Sequence, residues 1–302
     1  MRESPHPHPK NFISSIFVDT LIINKYLHKI KYKIQSSRII DNYKFTLRAG
    51  RQRERYLPYH FLIFILITQL TYLSDTYLLR SPAKILDIQI VEEKIAIILD
   101  ETIFYPQGGG QPSDTGNIES PTGTFEVEKV KLSPEGIVLH FGNYTKGSLE
   151  IGDEVILKVN EAKRLSHAKI HSAGHFIDVG VNALYPDLKP GKGYHFPEGP
   201  YVEYEGNTSN INPEIVKINL QEYMNELSKN HSEIIAEDLS DEGAQERGIT
   251  PPVGKKARII SIGKLHSCGC GGTHVKNTSE IGSITIRKIS VKNGCLRVAY
   301  EI

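Results

Sequence analysis

The sequence of 302 residues contains few cysteines, no tryptophan and no long hydrophobic run. Two of its three cysteines, Cys268 and Cys270, lie only two positions apart, so the cysteines cannot form the disulfide framework of a secreted protein. The apolar run at residues 61–67 is far shorter than the roughly 20 residues that span a bilayer. These absences predict a cytoplasmic protein without a membrane partner, whose thiols are metal ligands or core residues.

Charge is balanced over the whole chain but not along it. Residues 1–67 hold 12 basic against 4 acidic residues, and residues 68–302 hold 24 against 31, so the net charge changes from +8 to −7. The first segment shows no amphipathic period, which indicates a poorly ordered or mis-annotated extension rather than an organelle-targeting signal. A chain that starts at Thr68 is therefore expected to fold and to remain active.

Residues 68–159 have the pattern of a small antiparallel β domain, either a barrel or a sandwich. Short segments rich in Val and Ile alternate with clusters of Gly, Pro, Asn and Asp, which is typical of strands joined by tight turns. The predicted strands are residues 83–90, 94–99, 125–132, 136–141 and 154–159.

Residues 160–302 combine helical and strand patterns, so the predicted fold class is α+β. Apolar residues at helical spacing predict helices at residues 161–178 and 221–237. Further strands are predicted at residues 256–262, 283–289 and 295–302.

The first predicted helix carries a pair of histidines. His171 and His175 lie four residues apart, so they share one helix face about 6 Å apart and can bind one metal ion. A zinc peptidase would carry a glutamate after the first histidine, but Ser172 follows here, so that class of enzyme is excluded. Taken alone, such a pair is more often a polar helix face than a metal site.

A second pair of ligand residues lies in the segment from His266 to His274. Cys270 and His274 enclose two glycines, so the loop can present a thiolate and an imidazole to the same ion. Taken by itself, the segment can equally be interpreted as a Gly-rich turn that contains a buried cysteine. Together with the histidine pair it completes four ligands, whose nitrogen and sulfur donors suit zinc rather than magnesium or calcium. Cys268 and His266 are spare donors nearby.

The segment at residues 101–116 carries three consecutive glycines between neutral polar side chains. Glycine allows the backbone to approach a ligand closely, and Thr102, Gln107 and Gln111 supply hydrogen-bonding groups. No Gly-Lys-Ser or Gly-Lys-Thr sequence follows, so a nucleotide phosphate loop is excluded. From composition alone, a hairpin turn with a bulge is the preferred interpretation.

Four motifs follow one another in a specific order along residues 68–302. They are YPQGGGQPSDTG at residues 105–116, His171-x3-His175, GYHF at residues 193–196 with YVEY at residues 201–204, and CGGTHV at residues 270–275. Together they resemble the AlaX family, the free-standing relatives of the editing domain of alanyl-tRNA synthetase. The similarity is to the longer AlaX type, which implies a small N-terminal antiparallel β-barrel followed by a two-layer α/β zinc-binding editing domain.

The resemblance implies an aminoacyl-tRNA hydrolase that maintains translation fidelity without ATP. Its expected substrate is tRNA(Ala) charged in error, chiefly with serine and secondarily with glycine. The implied zinc ligands are His171, His175, Cys270 and His274. The implied contacts to the misattached amino acid are Thr102, Gln111, Gly108, Gly109 and Gly110. Many relatives lack a thiol at the position of Cys268, which either competes for zinc or packs.

Contacts to tRNA must come from local basic patches, because tRNA is polyanionic and residues 68–302 are net negative. Taken singly, each patch is more often an ordinary solvated face. The patches are Lys163 and Arg164 with Lys169, Lys255 and Lys256 with Arg258, and Arg287 and Lys288 with Lys292.

The expected chemistry is undemanding, since an aminoacyl ester is already activated. A positioned water and a stabilised oxyanion suffice, and zinc can provide both. Four protein ligands would close a tetrahedral site, however, whereas catalytic zinc usually keeps an open position. The ion then either becomes five-coordinate or mainly orients the substrate.

Alanine is smaller than serine, so a second site that recognises the hydroxyl is needed to remove serine. Changing Thr102 or Gln111 is therefore expected to alter the discrimination between serine and alanine more than the metal content. The alternative function is a zinc-stabilised tRNA-binding module without hydrolytic activity. A fragment of alanyl-tRNA synthetase is disfavoured, because the 67 residues before the β domain are too few for an aminoacylation core.

Overall fold

The structure is a computed structural model that describes residues 66–246, 257–292 and 294–302. Apart from its last two residues, the extension predicted at residues 1–67 lies outside the described residues, and its dispensability stays a prediction. Leu66 packs against a small hydrophobic cluster. A shortened chain that keeps Leu66 therefore tests the dispensability of the extension more fairly than one that starts at Thr68.

The first half of the described chain is an antiparallel β-barrel, which confirms the barrel predicted from sequence. Its strands are β1 (Gln69–Leu70), β2 (Arg80–Val91), β3 (Lys94–Leu99), β4 (Glu101–Thr102), β5 (Gly116–Glu119), β6 (Gly123–Leu132), β7 (Val138–Gly147) and β8 (Glu154–Val159). Six of them close the barrel in the order β2-β3-β7-β6-β5-β8. In β6, Phe125 and Val127 are buried while Glu126 and Glu128 are exposed, which is the period of two that fills a barrel from one face.

The buried part of the barrel contains one polar pair, Thr102 and His140. The Thr102 hydroxyl lies 2.8 Å from His140 Nε2, and His140 Nδ1 lies 2.9 Å from the carbonyl oxygen of Ile97. Because a carbonyl oxygen only accepts, Nδ1 carries the proton and Thr102 donates to Nε2. Burial lowers the pKa of His140 to about 4, so the imidazole is neutral at pH 7.

The second half combines three helices with two antiparallel sheets. Its elements are α1 (Glu161–Leu184), β9 (Lys189–Tyr194), β10 (Tyr201–Glu205), α2 (Pro213–Leu227), β11 (Ile234–Leu239), α3 (Asp241–Glu246), β12 (Ala257–Ile262), β13 (His266–Gly269), β14 (Thr285–Lys292) and β15 (Cys295–Glu301). The sheets have the strand orders β14-β15-β10-β9 and β11-β12-β13. Buried side chains of α1 and α2 share one hydrophobic core with the first sheet, so the helices form a layer against it. Among the described residues, no helix has the length and apolar character to cross a membrane.

Helix α1 begins one residue after the barrel ends. Asn160 is that single residue, and its side chain accepts a hydrogen bond of 3.0 Å from the backbone N–H of Lys163 at the helix start. Its own backbone N–H donates to the carbonyl of Thr115 in the barrel at 2.8 Å. The first turn of α1 is thereby fixed to the barrel.

The helix predicted at residues 221–237 is wrong in its position. Helix α2 begins at Pro213, where Asn212 caps it and proline suits the first helical turn, and it ends at Leu227. Ile234 and Ile235 continue the apolar spacing of α2 by coincidence, because they belong to β11 and pair with β12. The predicted boundary between residues 159 and 160 coincides with the end of β8, but the division into two domains stays a prediction.

Candidate metal centre

Two distant segments bring the predicted ligands together. Helix α1 carries His171 and His175, whose ring centroids lie 5.0 Å apart. The loop after β13 carries Cys270 and His274. Ligand atoms of all four side chains lie within 4.8 Å of one another, so the four residues can hold a metal ion. Both ligand pairs expected from the sequence therefore meet at one place.

Hydrogen bonds orient His171 so that its Nε2 atom is left for a ligand. Its Nδ1 lies 2.7 Å from Oε1 of Gln111, and the same oxygen accepts a bond from the backbone N–H of Thr273. Because an amide oxygen only accepts, His171 Nδ1 carries the proton and Nε2 presents a lone pair. The Gln111 amide nitrogen donates to the Thr273 hydroxyl at 2.8 Å. Such outer partners are typical of metal-binding histidines.

In the other two histidines of the group, as in His171, Nδ1 has protein partners and Nε2 is left for a metal ion. His274 Nδ1 lies 3.4 Å from the hydroxyl of Ser172, and His175 Nδ1 lies 3.4 Å from both Cys268 Sγ and Asp178 Oδ2. The Nε2 atoms of both histidines are buried without a hydrogen-bond partner among the described residues. Since burial of an unpaired polar atom is costly, the two nitrogens fit a bound metal ion.

The electrostatics of His274 and Cys270 are compatible with metal binding. Burial lowers the pKa of His274 to about 3, so its imidazole is neutral at pH 7 and can act as a ligand. Burial raises the pKa of the Cys270 thiol, but the adjacent His171, which lies 3.5 Å from Sγ through Nε2, contributes to holding that pKa well below its ordinary value. A thiolate and a neutral imidazole are the protonation states that zinc binds. Burial lowers the pKa of His175, but its hydrogen bonds to Asp178 and Cys268 raise that pKa well above the ordinary value, so a metal ion at His175 would displace a proton.

Glycines allow the segments of the site to approach closely. A Cβ atom on Gly272 would lie 2.2 Å from Cε1 of His171, so no larger residue fits beside this ligand. Gly110 has a φ of +75°, and a Cβ atom there would lie 2.3 Å from the carbonyl oxygen of Gly193. The Gly-rich segment therefore packs directly against β9, and the next residue of the site follows directly after that strand.

That residue is His195, which was not among the residues predicted for the site from sequence. Its ring lies 4.5 Å from that of His171 and is buried. Tyr300 donates its hydroxyl proton to the carbonyl of Ile170, so His195 Nδ1 donates to the Tyr300 oxygen at 2.8 Å and Nε2 is unprotonated. Burial lowers the pKa of His195 to about 2. The signal in the sequence was the GYHF motif, which contains His195.

The predicted contacts to an amino-acid substrate have protein partners in this structure. Gln111 is fully buried, and both atoms of its amide bond to His171 or Thr273. Thr102 is fully buried beside His140 in the barrel. Gly108, Gly109 and Gly110 form the turn before Gln111, and the first two of these glycines are exposed. Substrate contacts by these residues stay predictions.

Two of the basic residues predicted to contact tRNA are buried in the structure, which corrects the prediction for both of them. Arg164 is fully buried and paired with Asp114, and Arg258 is buried and donates to the carbonyls of Cys270 and Gly272. Neither guanidinium can reach a tRNA phosphate, because each is used inside the protein. Exposed positions are found for Lys163, Arg287, Lys288 and Lys292, and a partly exposed one for Lys169. Lys255 and Lys256 lie outside the described residues.

Cys268 belongs to a second group of ligand-type side chains. Ligand atoms of His175, His266 and Cys268 also lie within 4.8 Å of one another. This group contacts His175 through Nδ1, the ring nitrogen that the four-residue group does not need. Both predicted roles of Cys268, as a competing metal ligand and as a packing residue, stay predictions.

Comparison with known families gives two matches in separate parts of the chain. Residues 63–163 match the family described as tRNA synthetases class II (A). Residues 257–297 match the family described as threonyl and alanyl tRNA synthetase second additional domain. The first match contains the barrel and the Gly-rich segment, and the second contains Cys270 and His274.

Individual relatives extend these matches over most of the chain. A protein named alanyl-tRNA editing protein AlaX-L, from Pyrococcus horikoshii, is 30% identical over 226 residues, which are 74% of this chain and 54% of that protein. An alanine-tRNA ligase from Pseudothermotoga lettingae is 31% identical over 226 residues, 73% of this chain and 26% of the ligase. A further alanine-tRNA ligase, from Neorickettsia sennetsu, is 33% identical over 68% of this chain and 25% of the ligase. The chain thus spans about half the length of the editing protein and about a quarter of each ligase.

Proposed function

Because the chain belongs to the AlaX-type family of alanyl-tRNA editing proteins, we propose that it hydrolyses the ester that joins a wrong amino acid to tRNA(Ala). The amino acid is chiefly serine, and glycine is the second substrate. The observation that carries the proposal is the convergence of His171, His175, Cys270 and His274 within 4.8 Å, beside the Gly-rich turn.

The resident metal in this proposal is zinc. The donor set is one thiolate and three imidazoles, which is a set that zinc binds in proteins. When bound, zinc supplies a Lewis acid for the ester carbonyl and lowers the pKa of a coordinated water. The two unpartnered Nε2 atoms of His175 and His274 support this occupancy.

The chain's own residues would position the ester and shield it from bulk water. The carbonyl of Gly110 accepts a hydrogen bond of 2.8 Å from the backbone N–H of His195, which ties the Gly-rich turn to the ligand cluster. The exposed backbone of Gly108 and Gly109 is then accessible to the aminoacyl group. The neutral His195 ring, stacked on His171, covers the cluster without adding positive charge to it.

The test is hydrolysis of two matched substrates by the zinc-loaded protein. Ser-tRNA(Ala) and Ala-tRNA(Ala) are incubated with it separately, and the released amino acid is measured over time. We expect release of serine, with Ala-tRNA(Ala) largely spared. A protein that binds zinc and tRNA(Ala) but releases neither amino acid would instead be the zinc-stabilised tRNA-binding module, which a closed set of four ligands also accommodates.

Gln111 offers a test of how the metal ligands are held. Replacing Gln111 by alanine removes the acceptor of His171 Nδ1–H, and we expect zinc affinity to fall about 10–100-fold, as is usual for outer partners of metal ligands. Zinc affinity is measured by competition with a chelator. Thr102→Val is the control, since its hydroxyl bonds to His140 and should leave zinc affinity unchanged.

The Gln111→Ala variant also separates this role from the one expected from sequence. If Gln111 reads the hydroxyl of serine, Gln111→Ala changes the ratio of serine to alanine release and leaves zinc affinity intact. That outcome would contradict the positioning role assigned to Gln111.

A further inference from the structure

A second group of ligand-type side chains adjoins the four-residue group and shares one histidine with it. Ligand atoms of His175, His266 and Cys268 lie within 4.8 Å of one another. His266 and Cys268 take no part in the four-residue group, and the ester hydrolysis proposed above uses neither of them. A thiol and an imidazole beside a metal-binding histidine are themselves donors that zinc prefers.

Strand β13 directs both of these additional donors towards helix α1. His266 and Cys268 are two residues apart on β13, so their side chains project from the same face of the sheet. They pair with Ile262 and Ile260 of β12, which are buried in the core that also contains side chains of α1. Ser267 lies between them and is exposed on the opposite face. The period of the strand therefore points a thiol and an imidazole at the turn of α1 that carries His175.

The Nε2 atom of His266 has no partner in the protein. It is buried and makes no hydrogen bond among the described residues, and Oδ2 of Asp178 lies 3.9 Å away, which is too far for one. A buried ring nitrogen of this kind is costly unless something satisfies it. The enclosure suits a bare metal ion, whose ligands lie about 2.0–2.3 Å from it, better than it suits a larger ligand.

His175 can serve both groups because its two ring nitrogens face different surroundings. Its Nε2 atom is left for the ion of the four-residue group, whereas its Nδ1 atom lies 3.4 Å from Cys268 Sγ. In a tetrahedral zinc site, a nitrogen ligand and a sulfur ligand lie about 3.6 Å apart. Nδ1 and Sγ are therefore already spaced as two ligands of one ion. An imidazole that gives up its Nδ1 proton can bind one ion through each nitrogen.

The alternative is that His175 Nδ1 keeps its proton and donates it to Asp178 as an ordinary outer partner. The distance from Nδ1 to Asp178 Oδ2 is 3.4 Å, longer than the range of about 2.7–3.2 Å of a good N–H···O hydrogen bond. This arrangement also leaves His266 Nε2 buried and unpaired. An ion held between the three donors satisfies His266 and is favoured for that reason.

Asp178 supplies negative charge beside the second group. Tyr204 donates a hydrogen bond of 2.6 Å to Oδ1 of Asp178, because a carboxylate only accepts. The other oxygen, Oδ2, then remains directed at His175 and His266. Together with a thiolate at Cys268, this carboxylate balances the two charges of a divalent ion that is largely removed from water.

We propose that His175, His266 and Cys268 hold a second divalent metal ion, which His175 bridges to the ion of the four-residue group. One thiolate and two imidazoles suit zinc and leave a fourth position for water. The second ion is held more weakly than the first, because it has one protein ligand fewer and takes the place of the proton on His175 Nδ1. The site goes beyond the proposed ester hydrolysis and does not depend on it.

Titration with zinc tests the proposal on the full chain that holds one zinc after gel filtration. Calorimetry should show that a second equivalent binds. Cys268→Ala and His266→Ala should each weaken this second equivalent at least about tenfold and keep the first, since loss of even an outer partner of a metal ligand costs about 10–100-fold. Ser267→Ala, on the opposite face of β13, is the matched control and should bind both equivalents like the unaltered chain.

Cobalt reports whether the second ion binds to the Cys268 thiolate. A bond between Co²⁺ and a thiolate gives a charge-transfer absorption in the near ultraviolet. Adding Co²⁺ to the chain with one zinc should produce this absorption in the unaltered chain and in Ser267→Ala, but not in Cys268→Ala. His175→Ala tests the bridge, because it should weaken both equivalents in the zinc titration, whereas Cys268→Ala weakens only the second.

Two results would overturn the proposal outright, namely a single equivalent of zinc in the unaltered chain and a second equivalent of full affinity in folded Cys268→Ala and His266→Ala. Loss of the first equivalent in Cys268→Ala would show that the two groups compete for one ion, which also contradicts it. Urea unfolding midpoints are recorded for all variants, and Cys268→Ser and His266→Gln replace any that fails to fold. Absence of Ser-tRNA(Ala) hydrolysis contradicts the proposed function alone, because these titrations contain no substrate.

Discussion

Replacing Cys270 by alanine is expected to remove bound zinc and to lower the rate of Ser-tRNA(Ala) hydrolysis by at least about 100-fold, since loss of a ligand should exceed the effect of losing an outer partner. Cys270 supplies the single sulfur of the four-residue group and its only negative charge. Without it, three neutral imidazoles would have to hold a divalent ion in a largely buried site. Zinc per chain is measured by atomic absorption after gel filtration, and the rate by single-turnover hydrolysis.

Cys295→Ala is the matched control for this change. Cys295 is partly exposed like Cys270 but lies on β15, where it pairs with β10 and β14. It should keep one zinc per chain and full activity. If Cys270→Ala also keeps both, while Cys268→Ala loses them, the metal is held by the group of His175, His266 and Cys268 instead.

Replacing Arg164 by methionine is expected to lower the free energy of unfolding by about 3–5 kcal/mol, the usual cost of breaking a buried ion pair. Arg164 and Asp114 are both fully buried, and the guanidinium also donates to the carbonyls of Thr76 and Ile103. Methionine fills much of the same volume but leaves Asp114 as an uncompensated buried carboxylate. Urea unfolding of the zinc-saturated protein measures the change.

Arg297→Met provides the comparison for a similar pair at the surface. Arg297 bonds to Glu203 at 2.6 Å and remains accessible to solvent, so its replacement should cost no more than about 1 kcal/mol. A loss at Arg164 as small as that at Arg297 would show that the buried pair contributes little, and that water or rearrangement compensates Asp114 in the variant.

The sequence predicts some features of this protein well because they depend on local patterns. The strands β3 and β8 begin and end as predicted, since each is a short run rich in apolar residues with charged or turn-forming residues on both sides. The metal ligands can be predicted from the spacing of His and Cys residues within one helix and one loop. The four ligands come together as soon as these two segments lie side by side.

Other features depend on contacts between distant residues and are not visible in such patterns. Arg164 stands beside Lys163 in a basic patch, and only the position of Asp114, 50 residues earlier, shows that it is buried. Gln111 has the chemistry of a substrate contact, but its partners are 60 and 162 residues away. Apolar residues continue at the helical spacing of α2 as far as Ile234, although the helix ends at Leu227 and Ile234 begins a strand. Helical spacing alone therefore misplaces the end of the helix.

The single-residue connection at Asn160 limits how the chain can be altered by insertion. Each residue inserted between Val159 and Asn160 would turn helix α1 by about 100° and advance it by about 1.5 Å if the barrel stayed in place. His171 would then leave Gln111, and Arg164 would leave Asp114, although none of these residues had changed. For the same reason, neither half can be exchanged alone for that of a relative with a longer connection. Insertions are expected to be tolerated in the exposed turn at residues 120–122 instead, which lies between two barrel strands and carries none of the ligand side chains.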